Sequence, residues 1–499
     1  WPSGALTLAW IPEQDVGGKD NKRSDELRIR ASNLELAGLE GIRPLAAKLS
    51  PALGDVWRST QPSGKINTLA LDIPLQAADK TRFQASWSDL AWKQWKLLPG
   101  AEHFSGTLSG SVENGLLTAS MKQAKMPYET VFRAPLEIAD GQATISWLNN
   151  DKGFQLDGRN IDVKAKAVHA RGGFRYLQPA NDEPWLGILA GISTDDGSQA
   201  WRYFPENLMG KDLVDYLSGA IQGGEADNAT LVYGGNPQLF PYKHNEGQFE
   251  VLVPLRNAKF AFQPDWPALT NLDIELDFIN DGLWMKTDGV NLGGVRASNL
   301  TAVIPDYSKE KLLIDADIKG PGKAVGPYFD ETPLKDSLGA TLQELQLDGD
   351  VNARLHLDIP LNGELVTAKG EVTLRNNSLF IKPLDSTLKN LSGKFSFING
   401  DLQSEPLTAS WFNQPLNVDF STKEGAKAYQ VAVNLNGNWQ PAKTGVLPEA
   451  VNEALSGSVA WDGKVGIDLP YHAGATYNIE LNGDLKNVSS HLPSPLAKP

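Results

Sequence analysis

The chain has 499 residues, 41% of them hydrophobic and 21% charged, which is enough for several folded domains. Its 46 basic and 60 acidic residues give a formal net charge of −14, which argues against nucleic acid or an anionic membrane surface as a partner. The absence of cysteine excludes disulfides, thiolate metal sites and a cysteine nucleophile. No apolar run approaches the ~20 residues of a membrane-spanning helix.

Four short segments have apolar residues at the spacings of three and four that predict helices. In chain order they are residues 43–57, 210–224, 326–342 and 446–457. The last three begin at intervals close to 119 residues. Helices are therefore sparse and recur along the chain.

Between these segments, apolar and polar residues alternate with the period of two that is typical of strands. In residues 272–279, for example, Leu272, Ile274, Leu276 and Phe278 share one face and acidic residues occupy the other. Asn-Gly and Asp-Gly dipeptides, which are favoured in tight hairpins, separate many of the alternating segments. The pattern predicts an antiparallel meander.

A repeat underlies this pattern. Residues 253–283 and 372–402 align without a gap at an offset of 119, with 12 of 31 positions identical. Equivalent residues such as Pro264 and Pro383 are therefore expected to occupy the same place in successive units. The predicted division is the end of a preceding repeat at 1–40, a repeat with a longer insertion at 41–209, repeats at 210–325 and 326–445, and the truncated start of another at 446–499.

A meander with one apolar face must bury that face on something. A few short helices cannot cover so many strands, so the sequence is compatible with two ways of burying the apolar face. Either units pair into closed sandwiches with a dry core, which is the commoner arrangement, or the sheet leaves an apolar trough for a ligand. The substitution Leu374→Asp would separate them, since a sandwich would unfold and an open trough would tolerate the charge.

Residues 240–283, together with the segments 202–221, 331–338 and 391–402, resemble the AsmA-like envelope proteins of Gram-negative bacteria. The resemblance implies a mainly β fold: an elongated, twisted antiparallel β-sheet rod, or repeating β-groove, with one short helix per repeat of ~119 residues. It also implies a periplasmic bridge that carries phospholipid between the inner and outer membranes. The inner-membrane anchor expected of the family is not in this chain, which we interpret as an excised middle segment.

The implied partners are phospholipid acyl chains, the inner membrane through that anchor, and outer-membrane or periplasmic proteins. Alternation selects the candidate lining of the groove. The candidates are Phe249, Val251, Val253, Leu255, Ile274, Leu276, Phe278, Leu355, Leu357, Val372, Leu374, Phe395, Phe397, Val431, Val433 and Leu435. The alternative is a structural or adhesive array of β-sandwiches with no lipid.

Catalytic and metal-binding motifs were not found. The six histidines, His103, His169, His244, His356, His472 and His491, are scattered without the spacing of a metal site. Residues 348–352 resemble the start of a calcium loop, but Ile359 occupies the position that requires glutamate. We therefore expect no enzyme activity, no metal and no cofactor.

Overall fold

The computed structural model describes residues 4–12, 14–15, 22–23, 25–42, 44, 51–96, 98–362, 364–471 and 474–499. The chain divides into two compact units. Unit 1 is drawn from residues 1–258, 275–284 and 306–308, and unit 2 from residues 259–274, 285–305 and 309–499.

Unit 1 contains an antiparallel meander. Its strands are β1 (Ala5–Ile11), β2 (Gln14–Asp15), β3 (Lys22–Arg23), β4 (Glu26–Glu35), β5 (Ser63–Pro74), β6 (Arg82–Trp92), β7 (Ala101–Ser111), β8 (Asn114–Met126), β9 (Leu136–Asn150), β10 (Gly153–Ala165), β11 (Val168–Pro179), β12 (Trp185–Thr194), β13 (Ile221–Gly235) and most of β14 (Gln248–Phe260). β1 pairs with β4, and from β4 to β13 each strand pairs with the next.

The remaining strands follow in chain order. They are β15 (Leu269–Ile279), β16 (Gly282–Leu292), β17 (Val295–Ile304), β18 (Lys311–Pro321), β19 (Leu345–Asp348), β20 (Asp350–Pro360), β21 (Thr367–Ile381), β22 (Ser386–Ile398), β23 (Asp401–Ser404), β24 (Leu407–Trp411), β25 (Gln414–Glu424), β26 (Ala428–Trp439), β27 (Leu455–Gly457), β28 (Val459–Pro470), β29 (Thr476–Asp484) and β30 (Val488–Ser490). In unit 2, β17 to β29 form a second antiparallel meander, and β27 pairs with β30. The prediction of a mainly β, antiparallel fold is confirmed.

The helices are short. They are α1 (Pro51–Thr60), α2 (Glu206–Met209), α3 (Lys211–Ala220), α4 (Val325–Phe329), α5 (Ala340–Glu344) and α6 (Glu449–Ala454). A π-helical turn spans Lys335–Gly339, and 3-10 turns span Leu36–Ile42, Ala78–Lys80, Gly197–Tyr203, Pro237–Leu239, Tyr307–Lys309, Gly322–Ala324, Lys382–Leu384 and Pro441–Lys443. Among the described residues, the helices of each unit lie in connections on one side of its meander, and we call that side the helical rim.

Each predicted helical segment overlaps a helix of the structure, but the helices begin and end at other residues than predicted. The segment 210–224 contains α3, which ends at Ala220 because β13 begins at the next residue. The segment 446–457 shortens to α6. The segment 326–342 breaks into α4, a π-helical turn and α5, because Pro333 cannot continue a helix. The segment 43–57 overlaps α1, and its residues 43 and 45–50 lie outside the described residues.

Several strands carry a β-bulge near the helical rim. At four of these bulges a residue has a left-handed backbone, namely Asp89 in β6, Asn160 in β10, Asn299 in β17 and Asn376 in β21. Asparagine tolerates this conformation better than most residues. A bulge bends and further twists its strand, so each meander turns along this line of bulges.

The 119-residue offset marks equivalent backbone positions. The pairs Asn257 with Asn376, Asn271 with Asn390, and Asn280 with Asn399 all have left-handed φ angles between 49° and 54°. Asn280 Oδ1 accepts the main-chain N–H of Phe249 at 3.0 Å, and Asn399 Oδ1 accepts that of Ala368 at 2.8 Å. Pro264 and Pro383 both lie in the connection after equivalent strands, β14 and β21. The repeat boundaries themselves stay a prediction.

Candidate functional site

An apolar surface follows from the register of unit 1. Cross-strand partners in a sheet share one face, so each chain of partners marks a row of side chains. One row is Leu6, Ala31, Leu69, Ala85, Leu108, Leu117, Ile145, Gly158, Phe174, Ile188 and Tyr233. The adjacent row is Leu8, Ile29, Leu71, Phe83, Gly110, Gly115, Trp147, Leu156, Tyr176, Leu186 and Gly235. We call these two rows the apolar face of unit 1.

The apolar face of unit 1 is only partly covered. Ala31, Gly158 and Gly235 are buried, whereas the larger side chains in β5 to β13 are half-buried. In β1 the exposed fractions of Leu6 and Leu8 reach 50% and 62%. Contiguous exposed apolar surface of this kind is uncommon in monomeric proteins and marks an interaction site.

The opposite face of the same strands is polar. The hydroxyl groups of Thr107 and Thr118 lie 2.6 Å apart, as a cross-strand hydrogen bond. Arg175 Nε lies 2.6 Å from Asp157 Oδ1, and this hydrogen-bonded guanidinium lowers the pKa of the Asp157 carboxyl below its ordinary value. On the apolar face, by contrast, burial raises the pKa of the Tyr233 hydroxyl. The two faces therefore differ in chemistry as well as in burial.

Four tryptophan side chains of the two meanders have indole N–H groups that are either hydrogen-bonded or buried. Two indole N–H groups donate to main-chain carbonyls of other strands: Trp147 to Ser111 at 3.0 Å, and Trp439 to Pro415 at 2.7 Å. The indole nitrogens of Trp87 and Trp461 are buried without a hydrogen-bond partner. The rings consequently offer apolar surface rather than polar donors.

In unit 2 the register brings nine predicted lining residues onto one face. They are Leu355, Leu357, Val372, Leu374, Phe395, Phe397, Val431, Val433 and Leu435. Leu374, Val431 and Leu435 are buried, and the other six are half-buried.

Two of these nine residues, Leu374 and Leu435, belong to a buried core. The buried cluster of unit 2 consists of Val351, Leu374, Leu388, Leu391, Leu407, Ala409, Leu416, Val418 and Leu435. Val325 of α4 and the aromatic residues Trp411, Trp439 and Trp461 pack against it. Leu374, with an exposed fraction of 3%, is therefore part of a core rather than the wall of an open trough.

The other predicted residues lie on β14 and β15. Phe249, Val251, Val253 and Leu255 alternate along β14, and only Leu255 is fully buried, with 3% exposed. Ile274, Leu276 and Phe278 alternate along β15 and are all buried. Their alternation places each set on one face of its own strand.

Sequence reasoning missed most of the apolar face of unit 1, including Phe83, Leu108, Leu117, Trp147 and Phe174. Glycine, alanine and serine interrupt the apolar alternation there, as in residues 104–119, so the pattern is weaker than in β15. Cross-strand pairing would have been the useful signal, because each glycine in a row faces a large side chain on at least one adjacent strand. That signal requires the register.

The polar groups form pairs rather than a reactive cluster. His103, His169 and His356 each lie within 2.9 Å of an aspartate oxygen on a neighbouring strand. No group of three or more histidine, aspartate or glutamate side chains that could hold a metal ion occurs among the described residues. His472 lies outside the described part of the chain.

The chain matches the family model described as YhdP protein over residues 1–499. The chain belongs to the YhdP family. At the level of the family, this membership indicates AsmA-like lipid transport by cell-envelope proteins. No solved structure matches the chain. Among the helices described here, none has the length and apolar character to cross a membrane.

Proposed function

We propose that the apolar face of unit 1 carries acyl chains of phospholipids, and that the protein moves them through the periplasm between the inner and outer membranes of a Gram-negative envelope. The observation that carries the proposal is the half-buried apolar surface, continuous across β1 and β4 to β13. Membership of the YhdP family supports the same ligand class. We also propose that the residues predicted from alternation contact lipid within their own units, except Leu374 and Leu435, which belong to the buried cluster of unit 2.

The energetics favour a continuous surface for such a task. Exposing a 16-carbon chain to water costs about 12 kcal/mol, at ~0.8 kcal/mol per methylene. A chain that moves from one strand to the next along the apolar face keeps most of this contact. With strands ~4.8 Å apart, each step is short and changes little in buried area.

The attachments of the protein follow from the resemblance alone. We propose that the complete protein is held at the inner membrane by the family's anchor and meets outer-membrane or periplasmic proteins at its other end. We also propose a carrier rather than an enzyme, because the histidines described above are occupied by aspartate partners on separate strands. The proposed transport requires no cofactor.

The buried cluster of unit 2 favours a second candidate function for that part of the chain. A closed apolar core of large aliphatic residues is what a structural sandwich array would contain. In this alternative, unit 2 supports the sheet and binds no lipid.

Site-specific photocrosslinking tests the proposal. A benzophenone amino acid in place of Leu117, on the apolar face, is expected to crosslink phospholipid in Gram-negative cells. The matched control is position 118, because Thr118 is exposed on the opposite face of the same strand. Native mass spectrometry of the purified wild type is expected to show bound phospholipid. Equal crosslinking at both positions, or none at 117, would refute the proposal for unit 1.

A further inference from the structure

Four glycines lie directly opposite an aromatic residue of an adjacent strand. The cross-strand pairs are Gly106 with Trp87, Gly115 with Trp147 and Gly158 with Phe174 in unit 1, and Gly370 with Phe397 in unit 2. None of these four glycines has a left-handed φ. Backbone conformation therefore does not require glycine at these positions, and the reason must lie in the space above them.

In each pair the ring fills the space where a side chain would stand. A Cβ atom on Gly115 would lie 2.1 Å from Trp147 Cζ2, and one on Gly158 would lie 2.1 Å from Phe174 Cε1. At Gly370 and Gly106 a Cβ atom would first meet a main-chain oxygen, that of Arg354 at 2.1 Å and that of Thr118 at 2.4 Å, and the rings would lie 2.7 and 3.0 Å away. The rings are thus folded down onto the glycine backbone, an arrangement known to compensate for glycine in sheets.

The contacts of Trp147 show how flat this arrangement is. Trp147 is in β9, and its indole N–H donates to the Ser111 carbonyl in β7, so the ring extends across β8 and over Gly115. Phe83 in β6 lies near-parallel to it, with the ring planes 21° apart and the centroids 6.0 Å apart. Between the two rings, Gly110 and Gly115 are cross-strand partners without side chains.

We propose that these glycines let the rings lie flat on the sheet, and that the resulting flat face selects unbranched polymethylene chains over methyl-branched ones. This inference rests on the proposed function. A straight chain contacts a flat ring face along its length, whereas each methyl branch holds the neighbouring methylenes away from the ring. A methyl group on Gly115 would lift the Trp147 ring into the path of the chain.

The test uses vesicles of phosphatidylcholine, whose headgroup carries no net charge, with equal amounts of dipalmitoyl and diphytanoyl chains, and native mass spectrometry of the protein after incubation. The wild type is expected to take up mainly the dipalmitoyl lipid. Gly115→Ala is expected to lower that uptake about fourfold, the change in affinity that one buried methylene carries. Gly191→Ala is the matched control, because a Cβ there meets nothing within 4 Å.

A second variant keeps the inference testable if Gly115→Ala fails to fold. Trp147→Ala removes the ring and introduces no clash, and it is expected to reduce the preference for straight chains. Adding Gly115→Ala to Trp147→Ala is expected to cause no further loss of uptake, since the two residues act through one contact.

The outcomes separate the inference from the proposed function. Wild-type protein that loads both lipids equally, or a Trp147→Ala variant that keeps the full preference, would overturn the inference and leave lipid carriage intact. Wild-type protein that takes up neither lipid would overturn the proposed function itself.

Discussion

The two units share the alternation of apolar and polar residues but differ in how deeply the apolar side chains are buried. In unit 1 the apolar face stays half-buried across its strands. In unit 2 six predicted lining residues are also half-buried, but a separate part of the sheet forms a buried cluster of nine residues. The rows of unit 1 mix glycine and alanine with large residues. The cluster of unit 2 is mostly leucine and valine, and Val325 of α4 packs onto it. Side-chain volume and a covering helix, rather than the strand pattern, distinguish the core from the open face.

The largest expected effect tests this distinction with one charge in each unit. Leu374→Asp places a carboxylate in the buried cluster and is expected to cost about 3 kcal/mol or more, because the charge has no partner there. Leu117→Asp, on the half-buried face of unit 1, is expected to cost about 1 kcal/mol, since its carboxylate keeps contact with water. Urea denaturation of both variants checks the difference.

Because Leu374 is only 3% exposed, the outcome expected of Leu374→Asp is the one that a closed core predicts. Thr373→Asp and Thr118→Asp, each on the polar face one residue away, control for general damage to the strand. Equal losses for Leu374→Asp and Leu117→Asp would break the comparison between a core and an open face.

A smaller effect on stability is expected from removing the indole N–H groups of two tryptophans of unit 1, Trp147 and Trp87. Trp147→Phe removes the indole N–H that donates to Ser111 and is expected to cost about 1 kcal/mol more than Trp87→Phe. Trp87→Phe removes a buried N–H that has no partner, so its loss of ring volume is partly offset. Thermal or urea denaturation provides the measurement. A larger loss for Trp87→Phe would show that ring packing, not the hydrogen bond, dominates.

The smallest effect is on the polar face of unit 1. Since Arg175 lowers the pKa of Asp157, this pair stabilises the folded state above the ordinary carboxyl pKa of about 4 and loses that contribution as the pH falls further. We expect Arg175→Gln to shift the urea midpoint at pH 7 and to change it little at pH 3.

Arg159→Gln is the comparison for that pair. Arg159 lies farther from the same carboxylate, at 3.7 Å, and is more exposed. A shift for Arg175→Gln that is equal at both pH values would indicate lost packing of the side chain rather than lost charge pairing.

The sequence by itself determined the antiparallel strands, the sparse helices and the equivalence of repeated positions. These depend on local alternation, turn dipeptides and the asparagines that accept a left-handed backbone, all of which are written in neighbouring residues. Only the tertiary structure decided which apolar faces are covered. Leu374 and Leu117 lie in similar strands, yet their burial differs because residues distant in sequence, such as Val325 and Leu407, close over one and not the other. Coverage depends on register and on long-range packing, which alternation within a strand does not encode.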